Sequence, residues 1–303
     1  MVINYIRRET GNTRLPHKTR KMKRILFLLF LLLNGTLYAR QPMGTSLGIL
    51  GGTSEEKLAE VYAAGIRYVE VTFHSFTRNI PDTENYTEAF ALRNRLEKAG
   101  LKVWSCHLPY GKKCDISVVD PEQRERNVAY IERMIRLAAI FRPQRLILHP
   151  GSRPVSEEDR SERERCSANS ICRLSLAAEE IGAVLCVENM PHSIGRTSAE
   201  LLRLIGDCPG AMVCFDTNHL LLESHEDFID ALGERIATIH LSDYDGTDER
   251  HWLPGKGVID WPDLYGRLRR TGYKGVYMFE VRNGEATCAD IANAYEHVIR
   301  KKK

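Results

Sequence analysis

Ionisable side chains follow a succession of short apolar segments in this sequence. Six consecutive segments of strand-like composition end in His, Glu or Asp: these residues are His107, His149, Glu188, Asp216, His240 and Glu280. One such residue alone also fits an ordinary buried ion pair. Burying six together is costly unless they share a counter-charge. Mixed imidazole and carboxylate ligands suit Zn²⁺, Mn²⁺ or a similar divalent ion, so the pattern predicts a metal site if the six ends meet.

The elements that would bring these residues together alternate regularly along the chain. A helical pattern, a glycine and a β-branched or aromatic run recur at Gly65, Gly100, Gly182 and Gly272. A glycine just past a helix end turns the chain toward the next strand. The strands are predicted near residues 46–50, 67–73, 102–107, 145–149, 183–188, 211–215, 236–241 and 276–281.

Eight strand–helix units predict an α/β fold, a single-domain closed (β/α)₈ TIM barrel over residues 40–303. The alternative is an open doubly wound sheet, which normally carries a G-x-G-x-x-G loop after its first strand. Residues 48–53 contain glycines without that spacing. In a barrel the carboxyl ends of all eight strands meet at one mouth, where active sites lie. The six polar strand ends are therefore expected to converge there.

Residues 1–39 have the composition of an export signal. They carry a net charge of +7, and Lys23 and Arg24 precede nine apolar residues, Ile25 to Leu33, after which a polar boundary leads to the small residue Ala39. A membrane-spanning helix needs roughly 20 apolar residues, so a cleaved signal peptide is favoured over a membrane anchor or a buried helix. Met22 is the more natural start. The expected location is periplasmic or extracellular, with no membrane anchor after cleavage.

The remaining chain, residues 40–303, carries a net charge of −4. Nucleic-acid binding depends on cationic contacts to phosphate, so this charge argues against a nucleic-acid partner. The chain has eight cysteines without a Cys-x-x-Cys motif, and Cys106, Cys186 and Cys214 lie within apolar runs. Most of the cysteines are expected to be buried free thiols, and their pairing cannot be read from the sequence.

Several motifs together resemble the xylose isomerase-like barrel superfamily, which holds sugar phosphate isomerases/epimerases and endonuclease IV. The resemblance covers roughly residues 45–300. Its most specific segments are His149-Pro150-Gly151, Glu188-Asn189, Asp216-Thr217-x-His219, His240-Leu241-x-Asp243 and Pro254–Trp261.

The resemblance implies a metal centre and a reaction. In sugar epimerases of this group, residues matching Glu188, Asp216, His240 and Glu280 hold one divalent ion (Mn, Zn, Co or Mg). The residues matching Glu188 and Glu280 also serve as acid and base, exchanging protons next to a carbonyl through a metal-held enediolate. The implied enzyme is a metal-dependent sugar isomerase or epimerase with a small carbohydrate substrate.

Further residues match the three-zinc centre of endonuclease IV. His107, His149, His219 and His251 fall on its ligand positions, and Glu249 stands where that enzyme has Asp. A role in a second metal site or in substrate binding therefore stays open for these five residues. The ketohexose 3-epimerase branch has a substrate-binding Glu and Arg where this chain has Ile194 and Gly246, which counts against that particular substrate.

Glu70, Trp104 and Lys256 are predicted to contact substrate. Trp104, Phe73, Tyr110 and Trp252 could form a wall against a sugar ring, and ordinary packing would explain each of them equally well. Two other reaction classes stay open: a metal-dependent lyase or hydrolase acting on an oxidised sugar or glycoside, and an endonuclease IV-like phosphodiesterase. A sugar-binding barrel without catalysis is a further alternative. Association into homo-oligomers is compatible with the sequence.

Overall fold

The computed structural model describes residues 41–73, 84–284 and 286–300, and in them the chain forms a closed barrel of eight parallel strands in sequential order. The predicted (β/α)₈ barrel is confirmed. The strands are β1 (Met43–Ser46), β2 (Tyr68–Thr72), β3 (Lys102–His107), β4 (Arg145–Leu148), β5 (Val184–Glu188), β6 (Met212–Asp216), β7 (Ile236–Leu241) and β8 (Tyr277–Phe279). The predicted export signal, residues 1–39, lies outside the described residues.

Helices follow the strands and form the outer ring. They are α1 (Glu55–Ala63), α2 (Asn85–Lys98), α3 (Pro121–Ala138), α4 (Arg160–Glu180), α5 (Ser198–Ile205), α6 (His225–Leu232), α7 (Trp261–Arg270) and α8 (Cys288–Ala294). Local sequence sets their starts. Asp120 caps α3 by accepting from the backbone N–H of Gln123, and Pro121 occupies the first turn, where no amide donor is needed. None of the described helices is long and apolar enough to cross a membrane.

The four glycines of the recurring helix–glycine–strand pattern end helices as predicted. Gly65, Gly100, Gly182 and Gly272 have positive φ values between 75° and 87°. A side chain is strained in this left-handed region, whereas glycine enters it freely. The sequence signal therefore marks real helix-to-strand turns.

The first strand differs from its prediction. Strand β1 covers Met43–Ser46, and residues 47–50, predicted as strand, form a short 3₁₀ helix. The side chain of Ser46 accepts a hydrogen bond from the backbone N–H of Gly48 at 3.3 Å, which ends the extended conformation. A strand was predicted because this segment is apolar. Leu47 and Ile49 are indeed buried, but they belong to the 3₁₀ helix.

The barrel interior is filled in layers below the mouth. Near the strand starts, Trp104 packs against Val276 and Met278 and donates a 3.0 Å hydrogen bond to Oγ1 of Thr238. This position lies near the starts of the strands, away from the mouth, and contact of Trp104 with substrate stays a prediction. Phe73 is also buried, packing against Phe141, and does not form a wall of the site.

Two cysteines form a disulfide that the sequence did not reveal. Cys172 of α4 is bonded to Cys208, which follows α5, with 5.2 Å between the Cα atoms. The other six cysteines are free, and Cys106, Cys186 and Cys214 are buried as predicted. The disulfide therefore joins two neighbouring helical segments of the outer ring.

Candidate metal centre

Four predicted ligands meet at the carboxyl end of the barrel. Glu188, Asp216, His240 and Glu280 each place a ligand atom within 4.8 Å of the others. Glu188 and Asp216 end β5 and β6, and His240 pairs in register with Asp216 from β7. Glu280 directly follows β8, where its backbone N–H donates to the carbonyl of Leu241 at 3.1 Å. Parallel pairing thus brings the four residues to one point of the mouth.

The imidazole of His240 lies at the centre of this group. Its Nδ1 atom is 2.9 Å from Oε1 of Glu188 and 2.8 Å from Oε2 of Glu280. Its Nε2 atom is 2.9 Å from Oε2 of Glu70, which lies deeper in the barrel. His240 and Glu70 are both fully buried. Each ring nitrogen of His240 therefore faces at least one carboxylate.

The donor set fits a divalent cation. Carboxylates suit Mn²⁺ and Mg²⁺, and both imidazole and carboxylate groups bind Zn²⁺. Oδ2 of Asp216 is buried and has no hydrogen-bond partner among the described residues. Nδ1 of His219 lies 3.6 Å from this oxygen, beyond hydrogen-bond distance. A buried carboxylate oxygen without a hydrogen bond is unusual in a protein interior, and a bound cation would compensate it.

A second group of candidate ligands shares Glu188 with the first. Nε2 of His149 lies 2.9 Å from Oε2 of Glu188, and Nε2 of His107 lies 3.4 Å from the same oxygen. Nδ1 of His107 is 3.0 Å from the carbonyl of Leu108, which directs Nε2 toward Glu188. The ring of Tyr110 stacks on His149 at 4.5 Å between centroids.

A third group shares Asp216 and includes His219 and His251. Nε2 of His219 is 3.3 Å from Oε2 of Glu249, whose other oxygen forms a 2.7 Å ion pair with Arg153. Glu249 is thus already engaged by a protein cation. The three groups form a continuous set of ligands around Glu188 and Asp216.

Two asparagines hold the loops that carry these ligands. Asn189 exchanges two hydrogen bonds with the backbone of Asp216: its Oδ1 accepts from the N–H at 2.7 Å, and its side-chain amide donates to the carbonyl at 2.9 Å. The carbonyl of Asn189 also lies 2.9 Å from Nδ1 of His219. Asn218 accepts from the backbone N–H groups of Arg250 and His251, and His251 has a positive φ of 55°.

Buried carboxylates keep two of the histidines protonated in the metal-free protein. Burial by itself would lower the pKa of His107, but its hydrogen bond to Glu188 and the surrounding negative charges raise it to about 9. Burial would also lower the pKa of His219, but the negative charges of Asp216 and Glu249 outweigh it and raise this pKa to about 9. The centre therefore holds protons that a metal ion would displace.

The pKa values of the carboxylates shift in different directions, depending on whether burial or the nearby histidines dominate. Burial raises the pKa of Asp216 to about 6, although His219 and His251 partly counteract it. For Glu280, the nearby His240 outweighs burial and lowers the pKa to about 2. The pKa of Glu188 falls well below its ordinary value because three histidines outweigh burial. Glu188 and Glu280 are thus ionised at neutral pH.

The comparison with known protein families agrees with this geometry. The sequence profile described as "Xylose isomerase-like TIM barrel" matches residues 58–301. The chain belongs to this family.

Two curated relatives are similar in sequence. One, from Streptomyces coelicolor, is named "Putative hydroxypyruvate isomerase" and is 26% identical over 248 residues, or 76% of this chain and 86% of the relative. Inosose dehydratase from Lacticaseibacillus casei is 26% identical over 157 residues, or 45% of this chain. The match spans only 51% of inosose dehydratase, and a match to an uncharacterized protein of Methanocaldococcus jannaschii spans 58% of that protein.

A solved structure shares the fold of this family member. D-psicose 3-epimerase, crystallised in the presence of D-fructose, superposes with a TM-score of 0.72 at 19% identity. The superposition covers 86% of this chain and 100% of the epimerase. At this level of identity, the likeness shows a common barrel architecture.

Two other residues predicted to contact substrate are Glu70 and Lys256. Glu70 lies deeper in the barrel than the four candidate metal ligands. It contacts His240 there and accepts a 2.7 Å hydrogen bond from Oγ of Ser105. Lys256 is exposed, and its charge acts on Asp290 in the first turn of α8. Glu70 is fully buried behind His240, whereas Lys256 lies in the loop between β7 and α7, at the carboxyl end of the barrel. Substrate contact stays a prediction for both residues.

The sequence reasoning missed several residues of the site. Arg153 and Ser105 were not singled out, because a loop arginine and a strand serine carry no signal without the fold. Asn189 was noted only as part of a motif, although it holds Asp216 in place.

The structure has two cavities of note among the described residues. One, of about 120 Å³, lies beside His219 and is lined partly by Leu221 and Leu222. A larger one of about 300 Å³ lies between α6 and α7, away from the ligands.

Proposed function

We propose that this protein is a divalent-metal-dependent sugar isomerase or epimerase. The observation that carries the proposal is the placement of two ionised carboxylates, Glu188 and Glu280, both next to Nδ1 of His240 in a buried four-ligand group. Family membership and the similarity to a protein named for hydroxypyruvate isomerisation support the reaction class.

Moving a proton next to a carbonyl requires a base, a returning acid and stabilisation of the charge that develops on oxygen. A divalent ion held by Glu188, Asp216, His240 and Glu280 would supply Lewis-acid stabilisation of that oxygen. One of the two carboxylates, Glu188 or Glu280, takes the proton from carbon in its ionised form, and the other, protonated from solvent beforehand, supplies a proton to the opposite face or to the neighbouring carbon. Glu280 is the more accessible of the two, with 26% of its side chain exposed.

The residues around the two carboxylates orient the substrate. His107 and His149 lie on the side of Glu188 facing Tyr110, where their ring nitrogens can bind substrate hydroxyl groups. Tyr110 is 37% exposed and offers a face for a sugar ring. The alternative role for the ring nitrogens of His107 and His149 is to bind a second metal ion.

Hydrogen exchange tests the proposal directly. The metal-loaded protein is incubated in D₂O with a panel of aldoses and keto-sugars, and NMR follows deuterium entering the carbon next to the carbonyl. We expect exchange by the native protein and at least a 100-fold loss in Glu188→Gln and Glu280→Gln, since acid–base groups contribute roughly 10²–10⁴ in rate. Glu180→Gln, an exposed change at the end of α4, is the matched control. No exchange on any sugar, or full exchange in both variants, would overturn the proposal.

A lyase is the second candidate, favoured by the similarity to inosose dehydratase. Proton abstraction next to a ketone can end in loss of a neighbouring hydroxyl group as water instead of return of the proton. The same NMR experiment distinguishes a lyase from an epimerase, since elimination yields an unsaturated product and epimerisation does not.

The phosphodiesterase alternative has less support. Three ligand groups are compatible with several ions, but residues 40–303 carry a net charge of −4 and Glu249 is paired with Arg153. We propose that nucleic acid is not a substrate. Cleavage of a duplex containing an abasic site by the zinc-loaded protein would contradict this.

We also propose that the protein works outside the cytoplasm. The basic and apolar segments before Ala39 support export, and the Cys172–Cys208 disulfide is typical of an oxidising compartment. Mass spectrometry of the protein isolated from its host should find an N-terminus at Arg40. An intact N-terminus in the cytosolic fraction would contradict export.

A further inference from the structure

We propose that Glu70 is a positioning residue for the metal centre: it holds the Nε2–H of His240, so that Nδ1 is presented to the cation. This inference rests on the proposed metal dependence but not on the identity of the sugar. It assigns Glu70 a role that does not depend on the predicted contact with substrate.

The contact between Glu70 and His240 crosses the barrel interior. Glu70 lies on β2 and His240 on β7, which are not neighbours in the barrel, and 170 residues separate them. Oε2 of Glu70 is 2.9 Å from Nε2 of His240, and Ser105 on β3 donates to the same oxygen at 2.7 Å. The carboxylate is therefore fixed from two sides in one orientation.

Packing does not explain a carboxylate at this position. Glu70 is fully buried, and its Oε1 atom has no hydrogen-bond partner among the described residues. Other inward-facing positions below the mouth carry apolar side chains such as Ile147 and Met278. A buried carboxyl group without full hydrogen bonding is costly there, so a function at the neighbouring histidine is the simpler explanation.

The two ring nitrogens of His240 have different tasks. Nδ1 faces Glu188 and Glu280 within the four-ligand group, whereas Nε2 faces away from it toward Glu70. A metal ion and a proton cannot occupy the same nitrogen, so binding through Nδ1 requires the proton on Nε2. A carboxylate that accepts this proton's hydrogen bond fixes the tautomer and the ring orientation, and it makes the imidazole a stronger ligand.

Other histidines of the centre are held differently. Nδ1 of His107 lies 3.0 Å from the carbonyl of Leu108, and Nδ1 of His251 lies 3.1 Å from the carbonyl of Glu280. A neutral carbonyl orients a ring but polarises it less than a carboxylate does. Glu70 therefore strengthens the ligand group that contains His240 in particular.

Cobalt titration of the metal-free protein tests this role. We expect Glu70→Gln to bind Co²⁺ at the four-ligand site about 10–100-fold more weakly than the native protein, with a shifted visible absorption band. Glu180→Gln, which makes the same chemical change at an exposed position at the end of α4, is the control and should change the affinity less than threefold. Native affinity and an unchanged cobalt spectrum in Glu70→Gln would overturn the inference.

A second measurement uses the native protein, in case Glu70 variants do not fold. Long-range ¹H–¹⁵N NMR of the zinc-loaded protein should show His240 protonated on Nε2, with the signal assigned by its absence in His240→Gln. A proton on Nδ1 would overturn the inference. Native protein that binds no divalent ion would overturn the proposed function as well, whereas tight metal binding without turnover of any sugar would leave the inference standing.

Discussion

Oε1 of Glu188 lies 2.9 Å from Nδ1 of His240, although the two residues are 52 positions apart and belong to strands separated by β6. The other oxygen of Glu188 lies 2.9 Å from Nε2 of His149. One carboxylate thus joins two groups of candidate ligands. Its replacement should disturb the centre more than replacement of any single histidine.

We therefore expect Glu188→Gln to reduce kcat/KM for the preferred sugar by at least about 100-fold, because it removes both a metal ligand and a proton acceptor. The measurement is steady-state kinetics with saturating metal. A larger loss in His149→Gln than in Glu188→Gln would contradict the central position of the carboxylate. Glu180→Gln should retain native kinetics.

Metal removal should destabilise the protein. The buried negative charges of the centre lose their counter-charge when a chelator withdraws the ion. A ligand present at 100 times its Kd stabilises the folded state by about 2.7 kcal/mol, so the Tm should fall by several degrees on chelation and recover on adding Mn²⁺, Co²⁺ or Zn²⁺. Elemental analysis should find at least one divalent ion per chain. An unchanged Tm together with a metal-free purified protein would contradict the prediction.

The pair of hydrogen bonds between Asn189 and Asp216 should contribute strongly to stability. Asn189→Leu removes the side-chain partner of the backbone N–H of Asp216, at a cost of about 1–3 kcal/mol, and leaves its carbonyl with the 3.4 Å bond from the backbone N–H of His219. Urea unfolding of the metal-free protein should show a loss of about 1–3 kcal/mol. Ser156→Ala, which removes an exposed hydrogen bond to Asp159, should cost less than about 1 kcal/mol.

The stability of the metal-free protein should fall as the pH rises from about 6.5 to 9. The pKa values of His107 and His219 are raised from 6.5 to about 9 in the folded state, so protonation favours folding. This contribution is complete below pH 6.5 and is lost as the pH passes through about 9.

Thermal unfolding across this pH range provides the measurement. The metal-loaded protein should lose less stability than the metal-free protein, since the ion replaces the protons. In His107→Asn the pH dependence of the metal-free form should be smaller. A Tm of the metal-free form that rises between pH 6.5 and 9 would show that the sign is wrong.

The disulfide should stabilise the outer ring. Cys172 and Cys208 are 36 residues apart, and closing a loop of this size in the unfolded chain contributes about 3–4 kcal/mol. Replacing both cysteines with serine should lower the free energy of unfolding by a similar amount and leave metal binding unchanged. Peptide mapping without reduction should recover the two cysteines in one linked peptide, and recovery of both as free thiols would contradict the structure.

The sequence was sufficient to predict the fold and the meeting of the ligands. Gly65 and Gly182 end helices through backbone conformations that other residues avoid, so the strand–helix repeat was visible locally. Parallel strands carry their last residues to one end of a barrel, so the positions of Glu188, Asp216, His240 and Glu280 followed from the repeat.

Only the tertiary structure decided which way each side chain faces and what lies behind it. Trp104 and His107 belong to the same strand, yet Trp104 packs near the strand starts and His107 reaches the metal ligands. The partnership of Glu70 with His240 joins residues 170 positions apart on strands that do not pair. Such contacts depend on barrel closure and side-chain direction, whereas the local sequence determines only the period of the strands and helices.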